Sequence, residues 1–335
     1  MTKFSVLDLA PIVEGGDARQ ALMNARDLAQ HAERWGYHRF WAAEHHSMPG
    51  IASAATSVVL AHVAAGTKTI RVGAGGIMLP NHAPLIIAEQ FGTLEALFPG
   101  RIDLGLGRAP GTDQAAAQAM RRTLVGDVDR FPQDVVELMR YFEPAQPGQR
   151  VVAIPGENSD IPIWILGSSL YGAQLAAILG LPFAFASHFA PQQMYDALHE
   201  YRSRFKPSAR LAKPYVMLGF NIFAADTTEE AHLLSTSIMQ AFVNLRRGTP
   251  TKLQPPVKDF DQTLSPMDRG ILGALTSCAA IGTVSEVRDQ AAAFIARTGA
   301  DELMVTSQVF DHAKRLRSFE LAAEALSGIS VSAAA

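Results

Sequence analysis

The chain has 335 residues and a single cysteine, Cys278. That excludes a disulfide framework and any thiolate-rich metal site. Basic runs are also missing. No stretch of Lys and Arg exceeds the pairs Arg121-Arg122 and Arg246-Arg247, and the formal net charge is −3. Nucleic-acid binders gather positive charge on one face, so that class is demoted. No uninterrupted apolar run approaches the ~18 residues a membrane helix needs. The opening segment Met1–Pro11 lacks the apolar stretch and small-residue cleavage site of a secretory signal. These absences lead us to expect a cytoplasmic protein that partners neither nucleic acid nor membrane.

What is present is apolar bulk, 48% of the residues. That is enough to fill one (β/α)₈ barrel of ~250 residues with insertions. Strand and helix patterns alternate. Strands are predicted at Phe4–Leu9, Arg39–Ala43, Ile70–Gly75, Ile102–Gly107, Ile163–Leu166, Pro182–Ser187, Val216–Phe223 and Glu302–Thr306. Behind Asp17, a plausible N-cap, Leu22, Ala25, Leu28, Ala29, Ala32 and Trp35 recur at helical spacing. Helices are also predicted at Ser53–Ala65, Pro84–Phe98, Leu170–Leu179, Gln192–Phe205, Thr228–Leu245, Val284–Thr298 and Lys314–Leu326. The rhythm pauses twice. Arg108–Arg150 reads as a polar, helical insertion, and Gly248–Gly270, with its four prolines, as an irregular one. Eight strands each followed by a helix imply a parallel sheet, and right-handed crossovers close it into a barrel. The expected fold is an α/β (β/α)₈ TIM barrel with insertions after strands four and seven. Residues 1–329 form one domain and 330–335 a flexible tail.

Such barrels place their working residues just after each strand. Four places stand out. After strand two comes Glu44-His45-His46. A neutral imidazole at the barrel mouth is suited to proton transfer, and the alternative is a solvent-facing residue. After strand three, Gly73-Ala74-Gly75-Gly76 removes side chains, either for a planar ligand or for a bulge at the rim. After strand four, Gly105-Leu106-Gly107-Arg108-Ala109-Pro110-Gly111 has the wrong spacing for a dinucleotide fingerprint. Arg108 there could clamp a phosphate or pair with Asp113 at the surface. After strand five, Gly167-Ser168-Ser169-Leu170 opens a helix whose free N–H groups could bind an anion, or whose serines simply cap it.

Taken together, these residues resemble the bacterial luciferase-like flavin-dependent monooxygenases, and the chain looks closest to the YhbW-like subgroup. The carriers are Trp41–His46, Val72–Pro80, Pro99–Arg108, Leu166–Ser169 and Thr298–Val305. The resemblance implies FMN, reduced by a separate flavin reductase, and O2 as co-substrate for a small organic molecule. It implies that His45 manages protons as the catalytic residue. It implies a non-proline cis bond at Gly75-Gly76 under the flavin ring. It assigns the cofactor to Gly75, Gly76, Gly107, Arg108, Gly167, Ser168, Ser169, Leu170 and Tyr171, with Arg108 and the serines on the phosphate. It makes 248–270 a water-excluding lid, and the chain a homodimer through the helices at 53–65 and 84–98. Luciferase itself carries a cysteine where this chain has Gly107, so light emission is not implied. Two rivals stay open. One is hydride transfer with a deazaflavin, coenzyme F420, and the other is non-catalytic flavin binding.

Overall fold

A computed structural model describes residues 2–108, 119–120, 130–327 and 329. The tail at 330–335, Asp113 and most of 109–129 lie outside them. The elements are β1 (Lys3–Asp8), α1 (Ala18–Arg34), β2 (Arg39–Ala42), α2 (Thr56–Ala64), β3 (Arg71–Met78), α3 (Pro84–Leu97) and β4 (Ile102–Gly107). Next come α4 (Phe131–Tyr141), β5 (Ile163–Gly167), α5 (Leu170–Leu179), β6 (Phe183–Phe185), α6 (Met194–Arg204), β7 (Val216–Ala224) and α7 (Thr228–Arg246). The chain continues through α8 (Pro266–Thr276), β8 (Ala279–Gly282), α9 (Val284–Thr298), β9 (Glu302–Thr306) and α10 (His312–Ser327). Local chemistry sets several of these boundaries. Asp17 Oδ1 accepts from the Gln20 N–H at 2.8 Å and starts α1. Gly36, at φ +81°, turns the chain out of that helix in a conformation that favours glycine.

The strands are parallel, in the order β6-β5-β4-β3-β2-β1-β9-β7-β8. A further pairing of β6 with β7 closes the ring. The barrel is therefore β1–β7 plus β9, the eight strands expected from the sequence. The ninth, β8, pairs only with Asn221–Ala224, the far end of β7. It was not predicted, and neither was α8. Four residues are too few to show a period. Helix α8 announces itself by a capping box, Ser265 with Asp268, and by Pro266 in its first turn. The segment 248–270, expected to be irregular, is anchored at Leu253, which is buried and bridges Val13, and its last residues from Pro266 belong to α8.

Strand parity sorts the core. Val6, Phe40, Val72, Leu104, Ile165 and Leu303 face outward into one large cluster with the helices. Their neighbours Leu7, Trp41, Trp164, Met217 and Met304 form a separate cluster inside the barrel. This is the period-two alternation of a strand buried on both faces.

The amino-terminal layer of the interior is ionic. Arg39 reaches Asp103 at 2.6 Å and Glu302 at 2.8 Å, and Arg71 reaches Asp103 at 2.7 Å. Tyr215 donates to Glu302 at 2.9 Å, and Ser5 also bonds it. The Arg39 guanidinium lies 4.9 Å from the Trp164 ring centre. This plug closes the end opposite the strand carboxyl termini, so those termini are where a ligand must enter.

Candidate active site at the carboxyl end of the barrel

Glu44 leaves β2 at this end and is buried. Its Oε2 accepts the Met78 N–H at 3.0 Å, which ties the end of β2 to the end of β3. Its Oε1 is shared by His46 Nε2 at 2.7 Å and His82 Nε2 at 2.9 Å. Burial alone would raise the Glu44 carboxyl pKa. The two imidazoles and the Met78 amide outweigh it and hold the group below its ordinary value. The same three side chains could offer ligand atoms to a metal. Two ligands of a tetrahedral ion with ~2.1 Å bonds would sit roughly 3.3 Å apart. The shorter spacings here are those of hydrogen bonds. His45 sits between two members of this cluster, close enough for its charge to act on His188.

The peptide between Gly75 and Gly76 is cis. The β3–β4 register also slips there, from Ala74↔Leu104 to Ile77↔Leu106, so the glycine run is a bulge as well. Part of the glycine content serves the protein itself. A Cβ on Gly73 or Gly75 would strike the Trp41 indole at 2.7 and 2.9 Å. One on Gly76 would meet the Gly105 carbonyl oxygen at 2.8 Å, and one on Gly107 would meet Met78 Sδ at 3.0 Å. The large indole inside the barrel requires Gly73 and Gly75, while Gly76 and Gly107 make room for the adjacent strand and for Met78. Nothing local in the sequence marks this clearance, because Trp41 lies on a different strand.

Arg108 follows β4, and its guanidinium carbon stacks 4.1 Å from the Tyr171 ring centre. Because β5 lies beside β4, with Gly107 level with Leu166, the Arg meets the first turn of α5. Ser169 is the N-cap residue there, yet its side chain caps no backbone N–H. Gly167, Ser168, Ser169, Leu170 and Tyr171 thus share one corner with Arg108. Cation, hydroxyls and the positive end of a helix suit an anionic phosphate.

One residue of this region escaped sequence reading. His188, just past β6, has a buried Nδ1 with no hydrogen-bond partner. Burial pushes its pKa down to about 4, and the charge of His45 acts in the same direction. The signal was faint: a single His after a short apolar strand, outside any motif.

Residues 2–302 match the sequence profile of the luciferase-like monooxygenases. An Escherichia coli K12 protein named luciferase-like monooxygenase is 58% identical over 320 residues, 95% of each chain. An N-acetyl-S-alkylcysteine monooxygenase of Bacillus subtilis is 38% identical over 70% of this chain and 72% of its own. The crystal structure of apo-MsnO8 superposes with a TM-score of 0.86 at 33% identity, covering 98% of this chain and 99% of that one. Two more distant structures share the fold. One is the oxygenating constituent of 3,6-diketocamphane monooxygenase with FMN (TM-score 0.74, 19% identity, 98% of this chain and 99% of that one). The other is a coenzyme F420-dependent secondary alcohol dehydrogenase (0.70, 14%, 97% of this chain and 99% of that one). The barrel and the extent of these matches lead to one conclusion: the chain belongs to the luciferase-like monooxygenase family.

Proposed function

We propose that this protein is the oxygenase component of a two-component FMN monooxygenase acting on a small organic substrate. A separate reductase supplies the reduced FMN. The observation that carries the reading is the corner where Arg108 meets the uncapped first turn of α5. Arg108, Ser168, Ser169 and the amides of that turn would hold the phosphate. Gly75-Gly76 and Gly107 would lie along the ring. When bound, reduced FMN supplies the electrons and the oxygen activation. The chain's own part is to orient, to exclude water and to move protons at the His45 imidazole. FMN is favoured over a deazaflavin because the relative at 38% identity is a monooxygenase, whereas the deazaflavin enzyme above is only 14% identical. Helices α2 and α3 leave Val58, Ile86 and Leu97 exposed, which supports a homodimer through them. Sedimentation as a monomer would remove that part.

The test is an anaerobic fluorescence titration with photoreduced FMN, oxidised FMN and coenzyme F420. Reduced FMN should bind most tightly. Stronger binding of the deazaflavin would replace this reading with hydride transfer, and binding of none would end it. Turnover is tested with N-acetyl-S-methylcysteine, NADH, FMN and a flavin reductase under isotopically labelled O2. The His45→Ala variant should lose turnover while keeping most of its FMN affinity. Flavin binding without label in any product, across a wider panel of thioethers and ketones, would leave a flavin carrier.

A further inference from the structure

His188 is built into the wall of the barrel mouth by three neighbours. Asn221 Nδ2 donates to its carbonyl oxygen at 2.9 Å. The preceding Ser187 hydroxyl donates to the Gly219 carbonyl oxygen at 2.7 Å. Gly219 itself makes room for the ring, since a Cβ at that position would overlap His188 Nδ1. The imidazole therefore rests edge-on against a bare Cα, with its backbone pinned on both sides.

This packing decides the tautomer. Burial keeps the ring neutral at neutral pH, so it carries one N–H. Nδ1 is buried and unpartnered. A hydrogen there would be a donor without an acceptor, driven into Gly219; a lone pair needs less room. The hydrogen belongs on Nε2, at the opposite edge of the ring. Nε2 is not among the buried atoms lacking a partner, and His188 as a residue is only partly buried.

We propose that His188 is a fixed hydrogen-bond donor of the active site, presenting Nε2–H to an acceptor oxygen or nitrogen of the ligand held in the barrel mouth. His45 and His188 then divide the work. His45 moves protons in that reading, and His188 stays neutral and only donates. A donor held in place before the ligand arrives needs no reorganisation when it binds. The identity of the ligand rests on the flavin reading above, but the tautomer does not.

Two experiments test this. In protein labelled with ¹⁵N-histidine, the His188 ring should show the neutral Nε2–H form from pH 8 down to about 5. An Nδ1–H form, or titration near the ordinary histidine value, would overturn the proposal whatever the cofactor is. Then His188→Gln and His188→Asn are compared. The Gln amide reaches the place of Nε2, while the Asn amide reaches only that of Nδ1. Reduced FMN should bind the Gln variant within about threefold of the native protein, and the Asn variant about tenfold more weakly. If the acceptor is on the substrate, flavin affinity stays level and KM for N-acetyl-S-methylcysteine follows the same order. Gln and Asn variants indistinguishable in both measurements would overturn the proposal. A native protein that binds no flavin fails the flavin reading, while the tautomer result stands apart from it.

Discussion

The Arg108 guanidinium stacks on the Tyr171 ring at 4.1 Å, and the contact joins the end of β4 to the first turn of α5. A stacked guanidinium is already oriented, so less freedom is lost when it takes up an anion. Arg108→Ala should weaken reduced FMN binding about 10- to 100-fold, the range for a charge-assisted hydrogen bond. Arg108→Lys should recover only part of this, because an ammonium neither forks nor stacks in the same way. Tyr171→Phe keeps the ring and should change little; Tyr171→Leu removes it and should cost about threefold. Fluorescence titration without oxygen reads all four. Unchanged affinity in Arg108→Ala would move the phosphate elsewhere.

Arg39 neutralises two buried carboxylates, Asp103 and Glu302, both fully shielded from solvent. Arg39→Met keeps much of the volume but leaves Glu302 without its ion pair. Removing one partner of a buried pair costs about 3–5 kcal/mol. Urea unfolding should show a loss of that size with an unchanged slope. A loss below about 1 kcal/mol would mean that the plug is structurally dispensable.

Two glycines of the barrel should separate packing from binding. A Cβ on Gly105 would overlap the carbonyl oxygen of Ala74 on the adjacent strand. Backbone cannot step aside, so Gly105→Ala should destabilise by about 1–3 kcal/mol or more. At Gly167 the nearest atom would be 3.5 Å away, an ordinary contact. Gly167→Ala should keep its thermal midpoint while changing the surroundings of the phosphate corner. A thermal shift and a flavin titration on each variant test the contrast. An unchanged thermal midpoint in both variants would show that the Gly105 strand can shift.

The barrel was legible because its strands are apolar runs separated by helices at full period, and parity alone sorts Trp41 and Trp164 from Phe40 and Ile165. The corner of Arg108 with Gly167–Tyr171 was legible because each lies directly after a strand. What escaped was long-range. Arg39, Asp103 and Glu302 are far apart in sequence, and each looks like an ordinary charge at a strand start. Their pairing exists only once the ring has closed. The role of Gly73 and Gly75 as clearance for Trp41 is hidden for the same reason. Strand β8 is short and polar-flanked, and it joins the sheet only because β7 runs past the ring.

Stability below neutral pH should carry the signature of His188. Its pKa is about 4 in the folded protein against ~6.5 unfolded. Between those values the unfolded chain binds the extra proton, so protons favour unfolding and stability rises with pH. The contribution is complete above pH ~6.5, declines as pH falls and is fully lost below about 4; a gap of that size amounts to at most about 3 kcal/mol. His188→Gln cannot titrate, so its stability should be flatter across this window than that of the native protein. Glu33 acts in a lower window. Burial would raise its pKa, but the amides of Thr69, Ile70 and Lys68 pull it down to about 2. Its contribution is present above the ordinary carboxylate value and is lost as pH falls toward 2. The two losses therefore separate on the pH axis. Urea midpoints from pH 8 to pH 4 for native protein and His188→Gln measure the first one. Parallel curves would mean that the imidazole is protonated in the fold, and that would also remove the basis for its fixed tautomer.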